Sequence, residues 1–445
     1  MRRLSGWGRN SWADCELVEP EDSREVAQAV DPAGTIARGL GRSYGDQAVC
    51  SHRRVIGTGR LDRYRSFDDA TGTLVCEAGA TLEGIIQTFG PRGWFPRITP
   101  GTKLVTVGGC IANDVHGKAH HAQGSFNTCV KSMRVLLARG DVVTASPTEN
   151  ADLFWGSFGG LGLLGIILEA TITLRRITTT YFRQKAIVCD SLEALLDATD
   201  EHGGEAAYSV ATIDPGATGA RLGRGVLTVG DHAALEELPP NLAKAPLRLG
   251  RPSPLVVPVE LPGFALNPLT AGILNQLIRV VLTRAATLSH YESFFYPLDA
   301  VGEWNRAYGP RGFTQYQFVV PLSGGRRAMR RLLEAIVSSG QLPFLNVLKR
   351  LGREGRGPLS FPFEGYTLAI DFPIRDGTAE LTHRLDQMVL DAGGRVYLGK
   401  DSFLRPESLR RMYPRLDEWL RVKAKYDEAS VFQSDLAHRL QLCAS

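Results

Sequence analysis

At 445 residues, with 43% apolar and 22% charged side chains, the chain has a globular composition and is too long for one ordinary core, so two domains are expected. Its formal charge of +4, with both signs well mixed, argues against nucleic acid as a partner. Cys15, Cys50, Cys76, Cys110, Cys129, Cys189 and Cys443 include no CxxC pair, which speaks against a zinc site or a disulfide framework and suits reduced thiols in a cytoplasmic protein.

From the N-terminus, MRRLSGWGRNSWADCELV carries basic residues without an apolar core, so no signal peptide is expected. No apolar run reaches the roughly 18 residues that a spanning helix needs. The first third alternates short β-type runs with glycine turns. Thr35-Ile36-Ala37, Val55-Ile56, Thr73-Leu74-Val75-Cys76 and Ile166-Ile167-Leu168 read as strands, and 80–89 and 150–158 as short helices. Near 177 the texture shifts to ordinary helices and strands with fewer glycines. A proline-rich stretch at 252–268 leads into an apolar stripe at helical spacing: Ile273, Leu274, Leu277, Ile278, Val281 and Leu282. That helix is expected to pack on the second lobe or a dimer partner; peripheral contact with a membrane is the alternative. From about 395 a strand, Arg395-Val396-Tyr397-Leu398, precedes mostly helical sequence.

Three glycine-rich segments compete as a cofactor cradle. Gly160-Leu161-Gly162-Leu163-Leu164-Gly165 matches GxGxxG, but a dinucleotide fingerprint needs a strand before it and a helix after it. Here a helix, capped by Thr148, precedes the glycines and a β-type run follows, so the Rossmann reading is rejected. The second segment is Ala37-Arg38-Gly39-Leu40-Gly41-Arg42-Ser43-Tyr44-Gly45-Asp46, and the third runs from Pro100-Gly101-Thr102 through Thr106-Val107-Gly108-Gly109 to His116-Gly117-Lys118. Two such loops in one lobe suit a pyrophosphate cradle of backbone N–H groups. The histidines of HGKAHH have no carboxylate at metal-ligand spacing, so no metal site is expected.

The stretches RGLGRSYGD, PGT…TVGGCIANDVHGKAHH and LFWGSFGGLGLLGII resemble the FAD lobe of the vanillyl-alcohol-oxidase superfamily. The segments FFYPLDAVGEWNRAYGPRGFTQYQFVVP, FLNVLK, PLSFPFEGYTLAIDFP, GGRVYLGKDS and MYPRLDEW are similar to one branch, the decaprenylphosphoryl-β-D-ribose 2′-oxidases. Only about 215–290 falls outside the resemblance. It implies an α+β fold: an FAD-binding lobe formed by 1–177 and 395–445, with a substrate lobe, an antiparallel sheet with helices, inserted as 178–394.

The resemblance implies flavin contacts from Arg38, Gly39, Leu40, Gly41, Arg42, Ser43, Tyr44, Gly45, Asp46 and Gln47, from Gly101, from Thr106, Val107, Gly108 and Gly109, from Asn113, Asp114, Val115 and His116, and from Ile167 and Tyr397. Many relatives attach flavin covalently through a histidine in the first glycine loop. Tyr44 holds that place here, which implies non-covalent FAD. Lys400 matches the family's catalytic lysine, and Tyr44 and His116 join it in the implied catalytic set. Alcohol oxidation sends a hydride to flavin, while the hydroxyl proton goes to a base or the oxygen is stabilised by a cation; a lysine can serve in either way. Lys118, Gln317, Lys349, Thr367 and Ala369 match the substrate pocket. Where many actinobacterial members carry cysteine and asparagine, this chain has Ala369 and Thr367, which leaves the exact sugar open.

The expected function is oxidation of the 2′-hydroxyl of a polyprenylphosphoryl pentose. This would be half of an epimerisation completed by a separate NAD(P)H-dependent reductase. An FAD oxidase of a soluble sugar or alditol is the second reading, and a flavin-binding scaffold without turnover is the third.

Overall fold

A computed structural model describes residues 1–250, 255–263, 270, 272, 287–341 and 343–443. The apolar stripe at 273–282 lies outside the described residues.

The N-terminal part builds two sheets. The first has four strands in the order Arg2–Ser5, Trp12–Val18, Arg54–Gly57, Thr35–Arg38, the outer pair antiparallel and the other two pairings parallel. Thr35–Arg38 runs straight into the first glycine loop, so the sheet delivers that loop to one end of the lobe. The second sheet has six antiparallel strands centred on Ile166–Arg176, which pairs with Thr73–Glu77, Val130–Leu136 and Trp94–Pro96. The helix expected over 80–89 is Leu82–Phe89; Thr81 caps it by accepting from the Gly84 amide, and Leu82, Ile85, Ile86 and Phe89 face the core.

The GxGxxG decoy has the order read from the sequence, with helix Ala151–Ser157 before the glycines and a strand after them. Its cap differs. Asn150 occupies the N-cap position at φ 46, while the Thr148 hydroxyl turns to Ser146. Asn tolerates the left-handed region far better than Thr, whose branched Cβ is crowded there.

The third sheet has eight strands, all paired antiparallel, in the order Leu288–His290, Tyr181–Cys189, Gly225–His232, Tyr208–Ile213, Asn346–Leu351, Gly365–Pro373, Phe313–Pro321, Arg395–Val396. Strand alternation gives it two different faces. Tyr316 points to helix Thr378–Asp391, where its hydroxyl donates to Asp386 at 2.9 Å. The residues flanking it, Gln315 and Gln317, therefore point the other way, into the space shared with the glycine loops. The strand expected over 395–398 is shorter, Arg395–Val396, and joins this sheet at its edge. Tyr397 onward then turns back to the first lobe.

The C-terminal helices complete that return. Trp419 of Leu416–Tyr426 is fully buried and donates to the Gly156 carbonyl at 3.0 Å. Lys423 donates to the Leu163 and Phe432 carbonyls and to Asp427, all at 2.8–3.0 Å, which accounts for its three protons. Both chain ends thus share one core. Among the described residues no helix is long and apolar enough to cross a membrane.

Candidate active site

The first glycine loop and the Lys400 turn are built against each other. A Cβ on Gly45 would lie 2.3 Å from the Asp401 carbonyl oxygen, so only glycine allows this approach. The Gln47 amide fastens the same contact, donating to the Leu398 and Asp401 carbonyls at 2.7 Å each and accepting from the Gly45 amide. Arg38 is likewise a brace, donating to the Ser5 and Ala48 carbonyls. Asp46 accepts two hydrogen bonds from Arg439, at 2.8 and 2.9 Å, and Arg439 also holds Asp401 at 2.9 Å. The C-terminal helix Asp435–Arg439 therefore ties down the loop and the Lys400 turn together.

Among the described residues, the amides of Leu40, Gly41, Arg42 and Ser43 have no acceptor. They are the donors that an anion would take. Arg42 stands beside them, its guanidinium 3.9 Å from the centroid of the Trp7 ring. In the second loop the helix Val107–Ala112 begins at Thr106, which caps Gly109. Its first amides are already used, Val107 N–H by Ala80 and Gly108 N–H by Ala78. Gly108 permits the packing, since a Cβ there would sit 3.0 Å from that of Ala78, and Val107 and Ile167 are buried packing residues. Gly101, in contrast, borders open space.

Asp114, at φ 41, turns away from the loops. Its carboxylate accepts from Ser125, from the Asn127 amide and side chain, and from Ser360. It thus joins the two lobes, and Val115 is fixed by backbone bonds to Cys110 and Phe126. Asn113 stays at the loops: its Nδ2 donates to the Gly109 carbonyl, and its own carbonyl accepts from Tyr397 Oη at 2.8 Å.

His116 meets the Tyr397 ring edge-on, 5.2 Å between centroids. Gln317 Nε2 donates to His116 Nε2 at 2.9 Å, so the histidine proton sits on Nδ1. Burial and the nearby lysines hold His116 well below its ordinary range, which makes it neutral. His116 Nδ1 and Gln317 Oε1 are buried without a partner. A donor and an acceptor left open beside the glycine loops fit a polar ring edge such as flavin's. His120 and His121 diverge from it, held by the Gly352 amide and the Ala206 carbonyl.

The sheet supplies the remaining wall. In register, Gln315 lies opposite Asp371, Gln317 opposite Ala369, and Lys349 opposite Thr367, so these side chains share a face. Thr367 accepts from Gln317 at 3.1 Å and donates to the Phe318 carbonyl. Lys400 Nζ donates to Gln315 Oε1 and stands 5.4 Å from the Tyr44 ring centroid. Burial lowers its pKa, and Lys349 lowers it further. Burial pushes Lys349 down to about 8, and burial with Lys349 pushes Lys118 to about 7. Lys118 is anchored on the Phe294 carbonyl and ring, whereas Lys349 Nζ has no hydrogen-bond acceptor among the described residues. Three lysines thus converge where a glycine-loop anion site meets a polar sheet face.

Residues 16–146 match the family model of an FAD binding domain, and residues 310–440 that of D-arabinono-1,4-lactone oxidase. Over 451 aligned residues the chain is 41% identical to a decaprenylphosphoryl-beta-D-ribose oxidase of Mycolicibacterium smegmatis, covering 99% of this chain and 98% of that protein. The chain belongs to the decaprenylphosphoryl-β-D-ribose oxidase family. It is also 23% identical to L-gulono-1,4-lactone dehydrogenase of Mycobacterium tuberculosis, covering 98% of each. Cytokinin dehydrogenase 8 of Oryza sativa subsp. indica is 31% identical over 179 residues, 36% of this chain and 34% of that protein.

As a member of this oxidase family the chain is an FAD-dependent alcohol oxidoreductase. Two of its site residues, Gln315 and Asp371, were not among the sequence candidates. Period-two spacing held the signal: Gln315 shares a face with Gln317, and Asp371 with Thr367 and Ala369.

Proposed function

We propose that this enzyme oxidises the 2′-hydroxyl of a polyprenylphosphoryl pentose of the decaprenylphosphoryl-ribose type to the 2′-keto sugar. The observation that carries the reading is the convergence of Lys118, Lys349 and Lys400 beside the glycine loops. The open amides of Leu40–Ser43 and the unpartnered His116 Nδ1 and Gln317 Oε1 would hold FAD, which would supply a hydride acceptor. Lys349, cationic at neutral pH and without a hydrogen-bond acceptor among the described residues, takes the phosphodiester, with Lys118 beside it. Lys400, its pKa lowered towards neutrality, receives the hydroxyl proton as the carbinol hydrogen leaves. Tyr44 stands beside Lys400, and its own hydroxyl is pushed up by burial, so it stays protonated.

The 2′-keto product is chemically set for re-reduction from the opposite face, so an NAD(P)H-dependent reductase completes the epimerisation. The product class supports a role in cell-wall arabinan synthesis. Substrate arriving on a lipid brings the enzyme to a membrane surface.

Tyr44 in the first loop leaves no histidine there to bond the flavin. Acid denaturation is expected to release yellow FAD into the supernatant; colour retained in the pellet would mean a covalent link. In Lys349→Met, loss of one charge-assisted contact is expected to raise KM for the phosphodiester about 10-fold or more, with kcat near wild type at a pH above the Lys400 titration, which the lost charge moves upward. Steady-state kinetics check this split, and an unchanged KM would remove the phosphate from Lys349. The function itself is tested by anaerobic addition of candidates to FAD-loaded enzyme. Bleaching by a polyprenylphosphoryl pentose is expected. Bleaching only by free sugars or alditols would refute the reading.

A further inference from the structure

Behind Lys400 the sheet carries a carboxylate that the proposed chemistry does not use. Asp371 is fully buried in strand Gly365–Pro373, directly opposite Gln315. Gln315 bridges the two charges: its Oε1 accepts from Lys400 Nζ, and its Nε2 donates to Asp371 Oδ1. The other carboxylate oxygen accepts from Tyr308 Oη at 3.2 Å. Both partners of the carboxylate are neutral, and no cation touches it among the described residues. A buried carboxylate held this way is costly unless a cation balances it nearby. The cation at the far end of the bridge is Lys400. The amide orientation suits only that polarity, with its carbonyl to the lysine and its NH2 to the carboxylate.

We propose that Asp371 is a positioning residue that acts through Gln315 on Lys400, holding its amine in place and setting the pH at which it gains its proton. The inference rests on Lys400 being the proton acceptor. The groups facing Lys400 are Tyr44 from the glycine loop, Lys349 from strand Asn346–Leu351, His116 from the second loop and Asp371. Facing Asp371 are Tyr308, Gln315, Tyr44 and Lys400. Of these, Asp371 alone raises the proton affinity of Lys400, against burial and Lys349. Removing its charge leaves only the depressing influences.

The test is the pH dependence of anaerobic flavin reduction by substrate, whose acid limb reports the proton acceptor. Asp371→Asn keeps the shape and an acceptor for Gln315 while deleting the charge. Its acid limb is expected about one unit lower, a roughly tenfold weaker hold on the proton, with a lower plateau from a weaker base. Asp371→Glu restores the charge and is expected to return the limb towards wild type. Tyr308→Phe keeps its stacking on Phe313, 4.1 Å between centroids, but strips one hydrogen bond from the carboxylate. It is expected to move the limb the same way by less, and it carries the test if Asp371→Asn does not load FAD. A purely structural role would lower the rate and leave the limb in place. That result in FAD-loaded Asp371→Asn, or in Tyr308→Phe if it stands in, overturns the proposal. Lys400→Met separates the two claims. Loss of the limb there with no shift in the Asp371 variants sinks Asp371 alone, whereas persistence of the limb in Lys400→Met overturns both.

Discussion

Lys400→Met is expected to slow flavin reduction by the phosphorylated sugar about 10³-fold, roughly 4 kcal/mol of barrier, while FAD still binds. The reason is local. Lys400 is held by the tight turn 397–401, where its amide bonds to the Tyr397 carbonyl at 3.0 Å, and its side chain reaches Gln315 on the sheet. The two neighbouring amines among the described residues are placed differently: Lys118 is anchored on Phe294, and Lys349 projects from strand Asn346–Leu351. Methionine keeps the length and apolar stem but takes no proton. Stopped-flow bleaching under anaerobic conditions reads the effect directly. A variant within about 10-fold of wild type would place proton transfer elsewhere.

Arg439→Met is expected to cost about 3–5 kcal/mol of stability, because it leaves two acids buried without their cation. The Arg439 side chain is 25% exposed, and its partners Asp46 and Asp401 are 10% and 5% exposed. Burial raises the Asp46 pKa, against the pull of Arg439. Without the arginine, Asp46 takes up a proton more readily and the first glycine loop loses its tie to the Lys400 turn. Denaturant unfolding at saturating FAD is the measurement, since bound cofactor adds its own stabilisation. The comparison is Arg415→Met, an exposed partner of Glu418 expected to cost no more than about 1 kcal/mol. A loss equally small in Arg439→Met would show that the C-terminal helix does not hold the site.

What local sequence conveys, and what only the sheet conveys, separates cleanly around this site. The first loop was readable because β-type Thr35-Ile36-Ala37 feeds three glycines, and its glycines meet the close approaches expected of them. The GxGxxG decoy was separable from a nucleotide fingerprint because helix and strand stand in the wrong order around it. Asn150 displaced Thr148 as cap because a left-handed residue, invisible to a Ser/Thr-first reading, begins that helix. Within the two glycine segments the sequence did not separate ligand groups from braces. Arg38, Asp46, Gln47 and Asp114 spend their polar atoms on protein partners, and only three-dimensional proximity reveals which. The Gln315–Asp371 bridge spans 56 residues and the Asp46–Arg439 tie spans 393, so strand register and lobe closure define them, not neighbouring sequence. Ala369 and Thr367 are placed on the same face as Gln317 and Lys349, where a change of side-chain volume or polarity bears on the sugar.

Hydride abstraction from C2′ of a lipid-phosphate pentose at the Lys400 site is the step on which the proposed function rests. Its most direct test is single-turnover anaerobic bleaching of the enzyme-bound FAD by that substrate, unlabelled and deuterated at C2′. Bleaching by both is expected, several-fold slower for the deuterated sugar, with a 2′-keto product. Equal rates from the two substrates together with oxidation at another carbon, or bleaching confined to free alditols, would contradict it.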